Sequence, residues 1–130
     1  GRRINDNMGK YAAGEVVKLM IKRGVLINSA RVLVLGLTFK ENCPDIRNSR
    51  VIDVIEELRD FGCRVDVYDP WADEAEVKRE YGIAPLKSFD EADYDCVVIA
   101  VAHDKFKGLK FSKALVYDIK NIYENADARL

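Results

Sequence analysis

Apolar and polar positions follow two rhythms along this chain, and the switches between them mark its elements. Ile4, Met8, Tyr11, Ala12, Val16, Leu19 and Met20 recur at steps of three and four, the spacing of one helix face. Lys22 and Arg23 suit the last turn of that helix, and Gly24 suits its C-terminal cap. Its start is poorly marked: Arg2 and Arg3 stand where acidic side chains are preferred, and Asn5 or Asp6 is the available N-cap. Val32, Leu33, Val34 and Leu35 then run without polar alternation, as in a strand buried on both faces of a parallel sheet. Gly36 marks a point where the backbone turns or is closely approached. A polar loop follows, and Asn48 or Ser49 is the expected N-cap of a helix over 50–61 whose Val51, Ile52, Ile55 and Leu58 share a face.

Beyond Gly62, Val65 and Val67 alternate with polar neighbours in a second strand that ends at Asp69-Pro70, because proline cannot join a central ladder. The pattern then predicts a short helix over 74–81, a brief third strand over 83–86 and a turn of helix over 90–93. A buried strand over 96–101, a loop at 102–104 and a last short strand over 115–117 complete it. Strands alternating with short helices require right-handed crossovers, so the expected fold is α/β: a Rossmann-like doubly wound parallel sheet preceded by an amphipathic helix. Such a sheet brings every strand's carboxyl end to one edge, where 38–40, 68–70, 102–104 and 118–121 should gather as the ligand site.

Composition narrows the function classes. The chain has 130 residues, 48% of them hydrophobic, the size of one ordinary domain with one core. Its 21 Lys and Arg against 22 Asp and Glu leave a net charge of -1, no global field for a nucleic acid. An anion site must therefore be local. The longest apolar runs fall far below the ~20 residues of a membrane span, so no membrane partner is expected. Cys43, Cys63 and Cys96 are odd in number and lack Cys-x-x-Cys spacing, which argues for reduced thiols and a cytoplasmic setting.

Each polar candidate has a plain reading beside its functional one. Gly36 stands alone, with Phe39 and Lys40 where a dinucleotide fingerprint would carry further glycines. Lys40 is either a solvated lysine or, from its place after a buried strand, a contact for a phosphate or carboxylate. Asp45 and Arg47 form either a local surface ion pair or a guanidinium offered to a phosphate at the helix start. Cys43 has no base near it in sequence and is expected to be inert. His103, the only histidine, cannot anchor a metal site and is read as a loop residue. Asp69 is read as strand termination rather than as a ribose ligand.

The segment Gly36-Leu37-Thr38-Phe39-Lys40-Glu41-Asn42-Cys43-Pro44-Asp45-Ile46-Arg47-Asn48-Ser49 resembles the hallmark of the carboxyl-terminal domain of the UDP-glucose/GDP-mannose dehydrogenase family. The likeness continues through Val67-Tyr68-Asp69-Pro70, through 97–103 and through Tyr117-Asp118-Ile119-Lys120-Asn121, and is greatest to bacterial UDP-N-acetylhexosamine 6-dehydrogenases of surface-polysaccharide synthesis. The resemblance implies that residues 1–24 end a central helical dimerisation region and that 25–130 form the UDP-sugar-binding domain of a homodimeric, NAD-dependent enzyme. Such an enzyme oxidises the sugar C6 alcohol to a carboxylate through a cysteine thiohemiacetal and thioester. The family's Gly-Gly-x-Cys segment and NAD glycine fingerprint are absent from this sequence, so it implies no catalytic residue here, NAD bound mainly by an amino-terminal domain, and no turnover by this chain alone.

Residue by residue, it assigns Phe39 and Lys40 to the UDP-sugar, and Arg47 to the NAD pyrophosphate across the domain cleft. It also assigns Lys120 to substrate, although many members carry two basic residues after Asp-Gly where this chain has Asp118-Ile119-Lys120-Asn121. Arg2 and Arg3, with Lys10 as a further candidate, lie where a basic side chain reaches the partner subunit's substrate. A stand-alone dinucleotide-binding module and a non-enzymatic interaction domain are the alternatives, told apart by separate titrations of NAD and UDP.

Overall fold

The computed structural model describes residues 2–130, with side chains from Met8 onward. Helix α1 (Arg2–Lys22) leads into strand β1 (Arg31–Leu35), helix α2 (Val51–Asp60) and strand β2 (Arg64–Tyr68). Helix α3 (Glu74–Tyr81), a 3-10 turn (Glu91–Asp93), strand β3 (Cys96–Ile99) and the single-turn helix α4 (Asp104–Lys107) follow, then strands β4 (Leu115–Asp118) and β5 (Ala128–Arg129). The sheet order is β2-β1-β3-β4-β5, and all four pairings are parallel. The order reverses between β1 and β3, so the crevice for a ligand falls at their carboxyl ends.

The unbroken apolar runs of β1 and β3 are explained by two cores. Val32, Val34, Cys96 and Val98 point into one, and Leu33, Leu35, Val97 and Ile99 into the other. The larger core lies under α1 and α2, where Ala12, Ala13, Val16, Val17, Leu19 and Met20 of α1 meet Val54, Ile55 and Leu58 of α2. Each large aliphatic side chain so buried contributes ~1.5–3 kcal/mol. The two helices cross closely at Gly9, where a Cβ would stand 2.4 Å from that of Asp53. The smaller core gathers Tyr94, Phe106 and Val116.

Carboxylates tie the loops. Glu91 accepts the backbone N–H groups of Ser112, Lys113 and Ala114 ahead of β4. Fully buried Asp118 accepts those of Lys120, Asn121, Ile122 and Tyr123 and also binds Arg129.

Several elements depart from the sequence pattern. The strand expected over 83–86 is only an isolated bridge from Leu86 to Tyr68, since Pro85 supplies no ladder donor. The strand expected over 96–101 ends at Ile99, where Ala100 and Val101 both turn their N–H groups to the Leu35 carbonyl. Arg50, not Asn48 or Ser49, occupies the N-cap of α2; Asn48 takes a turn with φ of 59°, while Ser49 Oγ still accepts from Val51 N at 3.3 Å. Helix α1 extends past Asn5 and Asp6 to Arg2. Strand β5 and helix α4 were not expected; each is too short to carry a period of its own.

Candidate functional site

The connection from β1 to α2 is built on a buried network. Gly36, with φ of 102°, turns the chain where a Cβ would stand 2.5 Å from that of Val101. Asp69, at the end of β2, accepts from Leu37 N at 2.6 Å and Thr38 N at 3.0 Å through one carboxylate oxygen, and from Trp71 N at 2.8 Å through the other. His103 Nε2 lies 3.0 Å from Asp69 and 3.1 Å from Thr38 Oγ1, which donates onward to the Lys40 carbonyl. Asn42 N donates to His103 Nδ1 at 2.9 Å, so the ring proton sits on Nε2 and points to Asp69. Burial opposes the charge on Asp69, but the bonds from His103, Leu37, Thr38 and Trp71 outweigh it and hold the carboxyl below its usual range.

His103 and Asp69 therefore need a different account from a loop histidine and a strand stop. His103 is fully buried, with Trp71 stacked at 6.3 Å and Phe106 edge-on at 5.3 Å. Apart from Trp71 and Phe106, the partners of these two residues lie far from them in sequence, which is why the linear pattern missed them.

Tied in this way, the loop holds Phe39 and Lys40 out at the surface. They line a pocket of about 330 Å³ with Lys120, Arg50 and Glu41, while Ala12, Val51, Val54, Val101 and Ile119 supply apolar wall. That volume falls within the ~300–1,000 Å³ usual for small-molecule sites. Three cations face one carboxylate there, a local positive site in a chain of net charge -1. The pocket thus joins Phe39, Lys40 and Lys120 and adds Arg50, which had no signal in the sequence beyond its place at the helix start.

Arg47 stands apart. Its Nε and Nη2 donate to Asp45 at 3.0 and 3.2 Å, and its N–H donates to Asp45 Oδ1 at 2.9 Å. This is the local ion pair, and the Arg47 bonds hold the Asp45 carboxyl below its usual range. Lys10 lies beside Asp53, Glu56, Glu57 and Asp60, away from the pocket of Lys40. The Arg2 and Arg3 side chains lie outside the described residues.

The connection carries a single glycine, Gly36, which closes against Val101, and Phe39 and Lys40 stand where a dinucleotide fingerprint would place further glycines. Burial raises the thiol pKa of Cys63 and of Cys96, the reverse of what a nucleophile requires. Among the described residues no group of three or more His, Cys, Asp or Glu is placed to hold a metal ion. No described helix is long and apolar enough to cross a membrane.

In comparison with known proteins, residues 33–125 match the model of the UDP-glucose/GDP-mannose dehydrogenase family, UDP binding domain. The UDP-N-acetyl-D-glucosamine 6-dehydrogenase of Salmonella typhi is 47% identical over 140 residues, an alignment covering 100% of this chain and 33% of that protein. Protein CapL of Staphylococcus aureus is 44% identical over 129 residues, covering 94% of this chain and 30% of that protein. The chain thus spans about a third of the length of the curated relatives it matches. Among solved structures, a UDP-D-ManNAc dehydrogenase from Pyrococcus horikoshii superposes with a TM-score of 0.78 at 27% identity, over 98% of this chain and 31% of that one. The UDP-N-acetyl-mannosamine dehydrogenase Cap5O from S. aureus gives 0.75 at 27% identity, over 97% and 29%.

Proposed function

The chain belongs to the UDP-glucose/GDP-mannose dehydrogenase family, and on that premise we propose that its pocket binds the UDP-sugar substrate of an NAD-dependent 6-dehydrogenase. The observation that carries this reading is the meeting of Lys40, Lys120, Arg50 and Phe39 around one half-apolar cavity at the strand-order reversal. Ammonium and guanidinium groups suit the diphosphate, and the apolar wall with the exposed Phe39 ring suits the base and sugar. The identity to the Salmonella enzyme favours a UDP-N-acetylhexosamine as the sugar.

In this reading the whole protein is a cytoplasmic homodimer that serves surface-polysaccharide synthesis and oxidises the sugar C6 alcohol to a carboxylate. NAD is held mainly by a domain outside this chain, and Arg47, outside the pocket, reaches its pyrophosphate across the cleft. Residues 1–24 end the central helical region, from which Arg2 or Arg3 reaches the partner subunit's substrate. The binding domain proper spans 25–130.

Calorimetric titration of UDP, of UDP-N-acetylglucosamine and of NAD onto this chain tests the reading. Saturable binding of both UDP compounds, and none of NAD, is expected. The purified chain should form no NADH from NAD and a UDP-sugar. Absence of UDP binding both here and in the full-length protein would leave an interaction domain as the better account.

A further inference from the structure

The buried network under the β1-to-α2 loop has no part in the pocket wall except through Thr38, yet it meets that loop at four points. Asp69 accepts the N–H groups of Leu37 and Thr38, and Thr38 Oγ1 donates to the Lys40 carbonyl. His103 Nδ1 takes the N–H of Asn42, whose Oδ1 accepts from Asp104 N at 3.1 Å. These anchors bracket Phe39 and Lys40 on both sides. His103 and Asp69 are buried, and neither lines the pocket.

We propose that His103 and Asp69 are positioning residues for the nucleotide-sugar: they set the β1-to-α2 loop in its binding conformation before the ligand arrives. The proposal rests on the pocket being the UDP site. An unanchored loop would have to be ordered by the ligand, at ~1–2 kcal/mol for each backbone residue fixed. With the anchors in place, UDP meets Phe39 and Lys40 already held, and affinity is not lost to ordering.

A neutral imidazole protonated on Nε2 is the form that serves. It donates to Asp69 with one nitrogen and accepts from Asn42 with the other, joining the end of β2, the loop and the start of α4 through one ring. Leucine would fill much of the space and offer neither bond. Glutamine carries one donor and one acceptor, and so can make both.

UDP titration and amide hydrogen exchange on this chain test the inference. The wild-type protein without ligand should already protect the amides of Leu37, Thr38 and Asn42, with UDP adding little. His103→Leu should bind UDP about tenfold more weakly and release those three amides, while His103→Gln should stay within about threefold of wild type. Glu91→Gln loosens a carboxylate anchor ahead of β4, remote from the pocket, and should lower the thermal midpoint without moving UDP affinity.

If the wild-type chain binds UDP but His103→Leu binds it equally well, the positioning role is overturned and the pocket reading survives. If those amides exchange freely until UDP is added, the loop is ordered by ligand and the inference is again overturned, even should His103→Leu fail to fold. If UDP binds neither the wild-type chain nor the full-length protein, the pocket reading and the inference fall together.

Discussion

Two stretches of one connection, 37–42 and 45–50, both present cations at the carboxyl edge of the sheet, and they are held in opposite ways. Lys40 projects from a loop whose backbone is bonded to buried Asp69 and His103, residues 31 and 61 positions away in the chain through the bonds of Thr38 and Asn42. Arg47 is held by Asp45, two positions away, in a pair whose arginine side chain is 77% exposed. The turn that carries Arg47 is also tied to the fold, through buried Ile46, whose carbonyl accepts from the Tyr81 hydroxyl, but the guanidinium itself is aimed only by its neighbour. The first arrangement suits a ligand bound by this domain, and the second suits a group arriving from outside it.

The largest effect should come from Gly36→Ala, which removes the turn feeding the anchored stretch. A positive φ and a 2.5 Å approach to Val101 act together, so a loss of ~2–5 kcal/mol in unfolding free energy is expected on urea denaturation. A change under about 1 kcal/mol would show that the turn relaxes and that the anchoring is soft.

Asp69→Asn should come next, at about 2–4 kcal/mol, because the amide cannot accept from all of the donors that converge on the carboxylate. Its pH dependence carries a sign. The folded state holds the Asp69 carboxyl below its usual range, so its stabilisation is fully present above the ordinary carboxylate value of 3.8 and is lost as pH falls through the lowered one. The stability gap between wild type and Asp69→Asn should therefore shrink on acidification. A gap unchanged from neutral pH down through that range would contradict the linkage.

Lys40→Ala tests what the anchored stretch holds. Loss of one charge-assisted contact should weaken UDP binding by roughly ten- to a hundredfold, while the thermal midpoint stays near wild type. Unchanged affinity would make Lys40 an ordinary solvated lysine.

Arg47→Ala should have the smallest effect on the chain alone. UDP affinity should stay within about twofold, since the guanidinium does not line the pocket. In the full-length protein the same substitution should raise the KM for NAD more than that for the UDP-sugar. Equal damage to UDP binding by Arg47→Ala and Lys40→Ala would mean that the Asp45–Arg47 pair shapes the loop, and would erase the contrast between the two stretches.

Much of this contrast could be read along the chain. The apolar runs of β1 and β3 declared a parallel sheet covered on both faces, and the placement of Phe39 and Lys40 after the first run put them at its ligand edge. The Asp45–Arg47 pair was legible because its partners are two residues apart. His103 was not: in sequence it is a lone histidine in a polar loop, and only the fold brings Asp69, Asn42, Trp71 and Phe106 around it. Arg50 was missed for the same reason, since Lys120 and Ile119, which share its pocket, belong to another crossover.

Local pattern thus determined the class of fold, its four main strands and which loops meet at one edge, because hydrophobic period and turn chemistry act over a few residues. Tertiary structure decided which polar side chains are buried in the fold and which line the pocket. That choice depends on burial and on bonds between residues far apart in the chain, which makes a buried anchor of His103 and leaves Lys40 exposed at the pocket.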